Sequence, residues 1–284
     1  MNRFKISTEL SCRNISRSFL CNSMTEVIEN KYNHKDFHIM KDFYDDHSIS
    51  FRSWGLNVIN TGYSLHSPLL NYSNCDLEYF KFIMDSFRNK VKNNKIIHSS
   101  STLRVYVDLS QCNLRTINNL IKLFYIVENF IFDIQPFSRR QNDACRALRT
   151  IPKYSLEKFF DIFNIRDDSL FFLIDYTYGI NYSLFPEREY AVISYSNGSI
   201  RSDKILNWVG LILILTEISK KEDLTLDIKN RSDLSKDEIL DFIFAFKLKD
   251  ELLESKKKNI LNWCDFRYKT FEKLKEKKEK RCVD

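Results

Sequence analysis

Glycine and proline are scarce, five and four in a chain of 284 residues. Five scattered glycines cannot form a Walker-type phosphate loop or a Gly-x-Gly-x-x-Gly dinucleotide fingerprint, so both of those nucleotide cradles are excluded. The seven cysteines stand at positions 12, 21, 75, 112, 145, 264 and 282, and none forms a Cys-x-x-Cys pair. That odd, dispersed set argues against a zinc site or a complete disulfide framework and points to a reducing compartment. No apolar run has membrane length. The longest, Ile205 to Ile218, is interrupted by Asn207, Thr216 and Glu217. As a helix it covers about 21 Å, short of a bilayer core of about 30 Å. The N-terminus lacks the apolar core of a secretory signal. Nucleophilic catalysis has little support: Cys145 lies near Arg139 and Arg140, which could lower a thiol pKa, but no histidine is close in sequence.

What the chain does contain is ordinary for a globular protein: 43% hydrophobic and 29% charged residues. At this length about three quarters of the unfolded surface can be buried, in one large domain or two small ones. The abundance of Asn, Ile, Lys, Phe and Tyr is that of an AT-rich coding genome. The net charge is +6 and unevenly placed. Thirteen Lys/Arg and eight Asp/Glu fall from Lys247 onward, an excess of +5, against +1 for the remainder. Arg3, Lys5, Arg13 and Arg17, among serines and with Glu9 as the one acid, weakly resemble a mitochondrial transit peptide, but the segment reads better as a first strand.

Strand patterns cover Arg3–Leu10, Phe37–Lys41, Ser48–Arg52, Tyr63–His66, Leu103–Asp108 and Glu189–Tyr195. The turn-rich Asp45-Asp46-His47 joins the second and third of these. Helical spacing predicts helices over Asp76–Lys92 and Thr116–Ile134, the latter stopped by Pro136. Others are predicted over Ser155–Phe163, Ser202–Ser219 and about Asp250–Lys280. Capping boxes Ser23-x-x-Glu26 and Ser235-x-x-Glu238 predict helix starts at Met24, running to about Lys31, and at Lys236, running to Lys247. Alternation places Arg104, Tyr106 and Asp108 on one face of their strand. Interleaved strands and helices, with strands close enough in sequence for antiparallel pairing, predict an α+β fold with a mainly antiparallel sheet packed by helices.

The motifs, taken in order, resemble the Amidoligase_2 family of glutamine-synthetase-related carboxylate–amine ligases. Thr102, Leu103, Arg104, Val105, Tyr106, Val107 and Asp108 stand where the family strand reads Gly-Leu-His-Val-His-Val-Asp. Ser138, Arg139, Arg140, Asn142, Cys145, Arg146 and Leu148 match its Ser-Arg-Arg-x-Asn-x-x-Cys-Arg-x-Leu. Phe4 to Glu9 occupies the frame of Phe-Gly-Val-Glu-Ile-Glu, with Ser7 for the first acid and Glu9 for the second. Asp46-His47-Ser48-Ile49 resembles an Asp-x-Ser-Ile turn. Ser64-Leu65-His66-Ser67-Pro68 stands for Glu-Leu-Val-Ser-Pro. Ser194 and Ser196 replace the Glu and Arg of Thr-Val-Glu-Phe-Arg, and Asn181 loosely matches an upstream asparagine.

The resemblance implies a glutamine-synthetase-like scaffold over residues 1–220, with 221–284 as a helical extension ending in lysines. It implies an ATP-dependent joining of a carboxylate to an amine through an acyl phosphate, with Mg holding the phosphates. Arg139, Arg140 and Asn142 would serve that chemistry, Glu9 and Asp108 would approach the nucleotide, and Glu9 would be a metal ligand. An arginine at 104 has no lone pair for a metal, and serines at 7 and 64 remove charge from it. The expectation is therefore a catalytically degenerate pseudoenzyme, with ATP and Mg needed only if activity survives. An active ligase using Glu9, Asp108 and His66 is the alternative. Its partner would be a small amine or carboxylate, or a peptide or protein substrate, in the cytoplasm and without a membrane. A nucleic-acid role for the lysine-rich end is the weaker reading, since Glu272, Glu276 and Glu279 interrupt the lysines at helical pairing distance.

Overall fold

The computed structural model describes residues 2–11, 16–29, 54–59, 62–91, 97, 101–136, 145–151, 177–182, 189–221 and 234–281. The predicted strands Phe37–Lys41 and Ser48–Arg52, the turn at 45–47, the helix Ser155–Phe163 and the residues Arg139, Arg140 and Asn142 lie outside them. The chain divides into two compact units, residues 1–107 with 196–209 and residues 108–195 with 210–284. These units are a packing division; the expected split at residue 220 was drawn from the resemblance.

The first unit is built on antiparallel strands. β1 (Arg3–Ser11) is flanked by β3 (Gly62–His66) and by β5 (Thr102–Asp108), whose last residue belongs to the second unit. β2 (Gly55–Ile59) pairs outside β3, and the short β4 (Leu70–Asn71) pairs with the start of β1. Registers are Ser7 opposite His66 on one side and opposite Arg104 on the other. The period of two then separates the faces. Phe4, Ile6, Leu10, Leu65, Leu103, Val105 and Val107 form one buried apolar face. Lys5, Ser7, Glu9, Ser64, His66, Arg104 and Tyr106 share the other.

Two helices accompany this sheet. α2 (Asn74–Val91) buries Leu77, Phe80, Ile83, Met84, Phe87 and Val91, the stripe that predicted it. Trp54 stacks on Phe80 at 5.9 Å, and its indole N–H donates to Tyr79 Oη at 2.9 Å. α1 (Arg17–Glu29) corrects the sequence reading, which began it at Met24. The capping serine is Ser16, whose Oγ accepts from Phe19 N–H at 3.2 Å, while Ser23 is buried inside the helix. β2 was not anticipated, because its alternation is confined to Leu56, Asn57 and Val58.

The second unit is mainly helical. α3 (Leu114–Asp133) starts at Asn113, whose side chain accepts from Thr116 N–H at 2.9 Å. β6 (Ile180–Asn181) pairs antiparallel with β7 (Tyr190–Asn197), which ends in the first unit. α4 (Ser202–Ser219) has the predicted limits, and its residues from Gly210 onward belong here. α5 (Lys236–Ala245) carries the full capping box of Ser235 and Glu238 and ends two residues before the predicted Lys247. α6 (Glu251–Arg281) packs on α3 and α5. Buried Lys257 donates to the carbonyls of Phe244 (3.2 Å) and Phe246 (2.5 Å), placing a cation at the C-terminal end of α5. The α+β class with an antiparallel sheet packed by helices holds.

Candidate functional site

Polar side chains on a sheet face are buried only when they satisfy one another. On the polar face of the first unit Lys5, Ser7, Ser64, His66 and Tyr106 are all buried. Ser7 lies in the middle of β1. Its hydroxyl meets that of Ser64 at 2.7 Å. These are two of the positions at which the resemblance expects carboxylates, and the sheet register brings them into direct contact.

Beside them Glu9 is committed twice. Oε1 receives Arg104 Nη2 at 2.8 Å, and Oε2 accepts the backbone N–H of Thr102 at 3.0 Å. Arg104 therefore occupies, with a cation, the place of an expected metal-binding histidine. His66 is buried opposite Ser7. Burial, with Lys5 and Arg104 nearby, lowers its pKa to about 3, so the imidazole is neutral at physiological pH. Ser67 is a structural element: its hydroxyl accepts from Ile6 N–H at 3.0 Å and donates to Pro68 O at 2.8 Å.

Asp108 is in the second unit, where Oδ1 accepts from Ser110 N–H at 2.9 Å and closes a turn. Ser194 is held at β6, its N–H donating to Gly179 O at 2.7 Å. Ser196 is buried in the first unit with its hydroxyl donating to Asn197 O at 3.3 Å. Asn181 is buried on β6. Cys145 is buried, which does not suit a nucleophile that must meet substrate.

Sequence reasoning missed Glu128. Fully buried on α3, its carboxylate accepts from Leu148 N–H (2.7 Å), Arg149 N–H (3.2 Å) and the Tyr195 hydroxyl (2.7 Å). Burial raises its pKa and these hydrogen bonds oppose the rise. Tyr195 is locked by Phe124, stacked at 5.8 Å, and by the edge of Phe132 at 5.3 Å. The signal was present: Glu128 falls on the stripe of Ile121, Phe124 and Ile131, where an acid must find donors. Glu128 thus anchors the start of a 3₁₀ turn, Leu148–Thr150, at the end of the arginine-bearing motif.

Among the described residues no three His, Cys, Asp or Glu side chains gather closely enough to hold a metal ion. The polar face offers two serine hydroxyls, a phenol, the neutral imidazole of His66 and one carboxylate already paired with a guanidinium, beside the Lys5 ammonium, a set short of the anionic oxygens a divalent cation requires. No described helix is long and apolar enough to cross a membrane. The chain matches no protein-family model and no curated protein.

Proposed function

We propose that this chain is a divergent amidoligase-like protein that has kept the strand frame of a ligase cradle and lost its ion chemistry. One observation carries the reading. Positions aligned with metal ligands, 7, 64 and 104, converge with Glu9 on a single sheet face, where Ser7 bonds Ser64 at 2.7 Å and Arg104 pairs with Glu9 at 2.8 Å. Convergence of independently aligned motifs supports the resemblance, and the chemistry of their replacements supports the loss. In a catalytic cradle the acids must offer lone pairs to a metal that neutralises phosphate charge. Here the anion is neutralised internally and the hydroxyls satisfy each other. The protein then works as an intracellular scaffold, its partner a peptide, a protein or a small amine or carboxylate bound without turnover.

Calorimetric titration with Mg-ATP tests this. The expected result is no measurable heat, and no ADP release with a panel of amines and carboxylates. Micromolar Mg-ATP affinity overturns the reading. Restoring the expected ligands in Ser7→Glu/Ser64→Glu/Arg104→His is expected to create Mn²⁺ binding that the parent lacks, read by paramagnetic broadening. A folded triple variant that binds no Mn²⁺ counts against the alignment itself.

A further inference from the structure

We propose that the outward face of α6 from Trp263 to Lys277 docks on an anionic lipid surface. Large exposed apolar side chains are the feature that needs a partner. Phe266 is 67% exposed and Leu274 48%, both on this helix. At 3.6 residues per turn, Trp263, Phe266, Thr270 and Leu274 fall within about 80° of arc. Lys277 falls inside the same arc and Lys273 about 20° outside it, with Lys269 about 40° further round, all exposed. The acids Asp265, Glu272 and Glu276 gather beyond Lys269, on the flank turned away from the apolar stripe. Lys269 reaches across to that flank, pairing with Asp265 at 2.6 Å. On the opposite flank Arg267 is held against the protein, its Nε donating to Ile134 O at 3.0 Å and its guanidinium lying over Phe271 at 4.6 Å. From Glu272 to Lys277 every side chain is exposed.

The charge of the face decides the occupant. A second copy is disfavoured, because pairing of this stripe buries Lys273 and Lys277 at the seam while the acids stay on the far flank. A protein partner needs a complementary area of about 1,000 Å² and favours arginine over lysine at its core. A single convex helix with two exposed apolar residues offers no such area. A nucleic acid would use the lysines but leave Leu274 in water. An anionic bilayer surface satisfies both components. Phe266 and Leu274 enter the acyl boundary, while the lysines extend their stems along it and place ammonium groups among the headgroups. Such a contact is peripheral and independent of any spanning helix.

Flotation of the full chain with vesicles of phosphatidylcholine, with and without phosphatidylserine, tests the proposal. Binding is expected to the phosphatidylserine vesicles alone and to fall as salt rises. Trp263 emission should shift to the blue, since Trp54 and Trp208 are already fully buried. Phe266→Ser/Leu274→Ser and Lys273→Glu/Lys277→Glu should each weaken binding about tenfold or more. All four side chains are exposed, so unchanged circular dichroism is expected. Absence of binding at low salt overturns the proposal. So does unaltered vesicle binding by the Phe266/Leu274 variant, which reduces the surface to a general polyanion contact that a single-stranded oligonucleotide would displace.

Discussion

A carboxylate with no solvent contact, such as Glu128, must find its donors within the protein. Three of them converge on it, two being backbone N–H groups that no side-chain replacement elsewhere can supply. Glu128→Leu strands all three and is expected to cost about 3–4 kcal/mol, and Glu128→Gln, which keeps one acceptor oxygen, about 1–3 kcal/mol. Urea denaturation of each variant measures both. His66 gives a second residue-scale expectation, in pH. Its folded pKa lies near 3, lowered by burial and then by Lys5 and Arg104, against an ordinary 6.5. Between those values the unfolded chain binds the proton and the folded one does not, so stability falls as pH drops from about 6.5 toward 3. His66→Gln should remove up to one proton of that dependence, about 1.4 kcal/mol per pH unit at most. Urea midpoints of parent and variant across pH 4 to 6 are expected to converge in that direction (~2 pH units of window). Equal slopes would contradict the assigned neutrality of the imidazole.

At the scale of elements, caps and apolar stripes decide where helices begin and end. Ser235 and Glu238 exchange hydrogen bonds at the start of α5, so Ser235→Ala is expected to lower stability by about 1 kcal/mol, read from the shift in thermal midpoint. The same signature misled at Ser23, since Ser16 caps the helix seven residues earlier, which leaves Ser23 buried inside it and Glu26 exposed and paired with Lys90. α2 and α3 were legible because an apolar stripe repeats every turn, and α4 because its apolar run is too long for a strand. β2 was not, although its partner β3 follows at once, because its alternation is confined to Leu56, Asn57 and Val58, too short a run to stand out. The site was legible in part. Alternation alone put Ser7 with Glu9 and Arg104 with Tyr106. The contact of Ser7 with Ser64 depends on the β1–β3 register, which no local pattern records. Glu128 was readable only as an exception within an apolar stripe.

At the scale of the whole molecule, the first unit is interrupted in sequence. Its N-terminal 107 residues are completed by residues 196–209. Thr8 Oγ1 donates to Ser199 O at 3.0 Å and accepts from Ser199 N–H at 3.1 Å, Gly198 N–H donates to Ser101 O at 2.6 Å, and Ser202 Oγ bonds Asp85 at 2.7 Å. A fragment ending at Tyr195 is therefore expected to lose protease resistance across β1, β3 and β5, and addition of residues 196–221 to restore it, as limited proteolysis with mass spectrometry can check. This arrangement also has a consequence in time. On a ribosome the strands around β1 emerge long before the segment that finishes them. At about 5–20 residues per second, some 100 further residues delay closure by roughly 5–20 s. For that interval the nascent sheet waits with Thr8 and Ser101 unmatched, a natural client for the factors that shelter half-made chains.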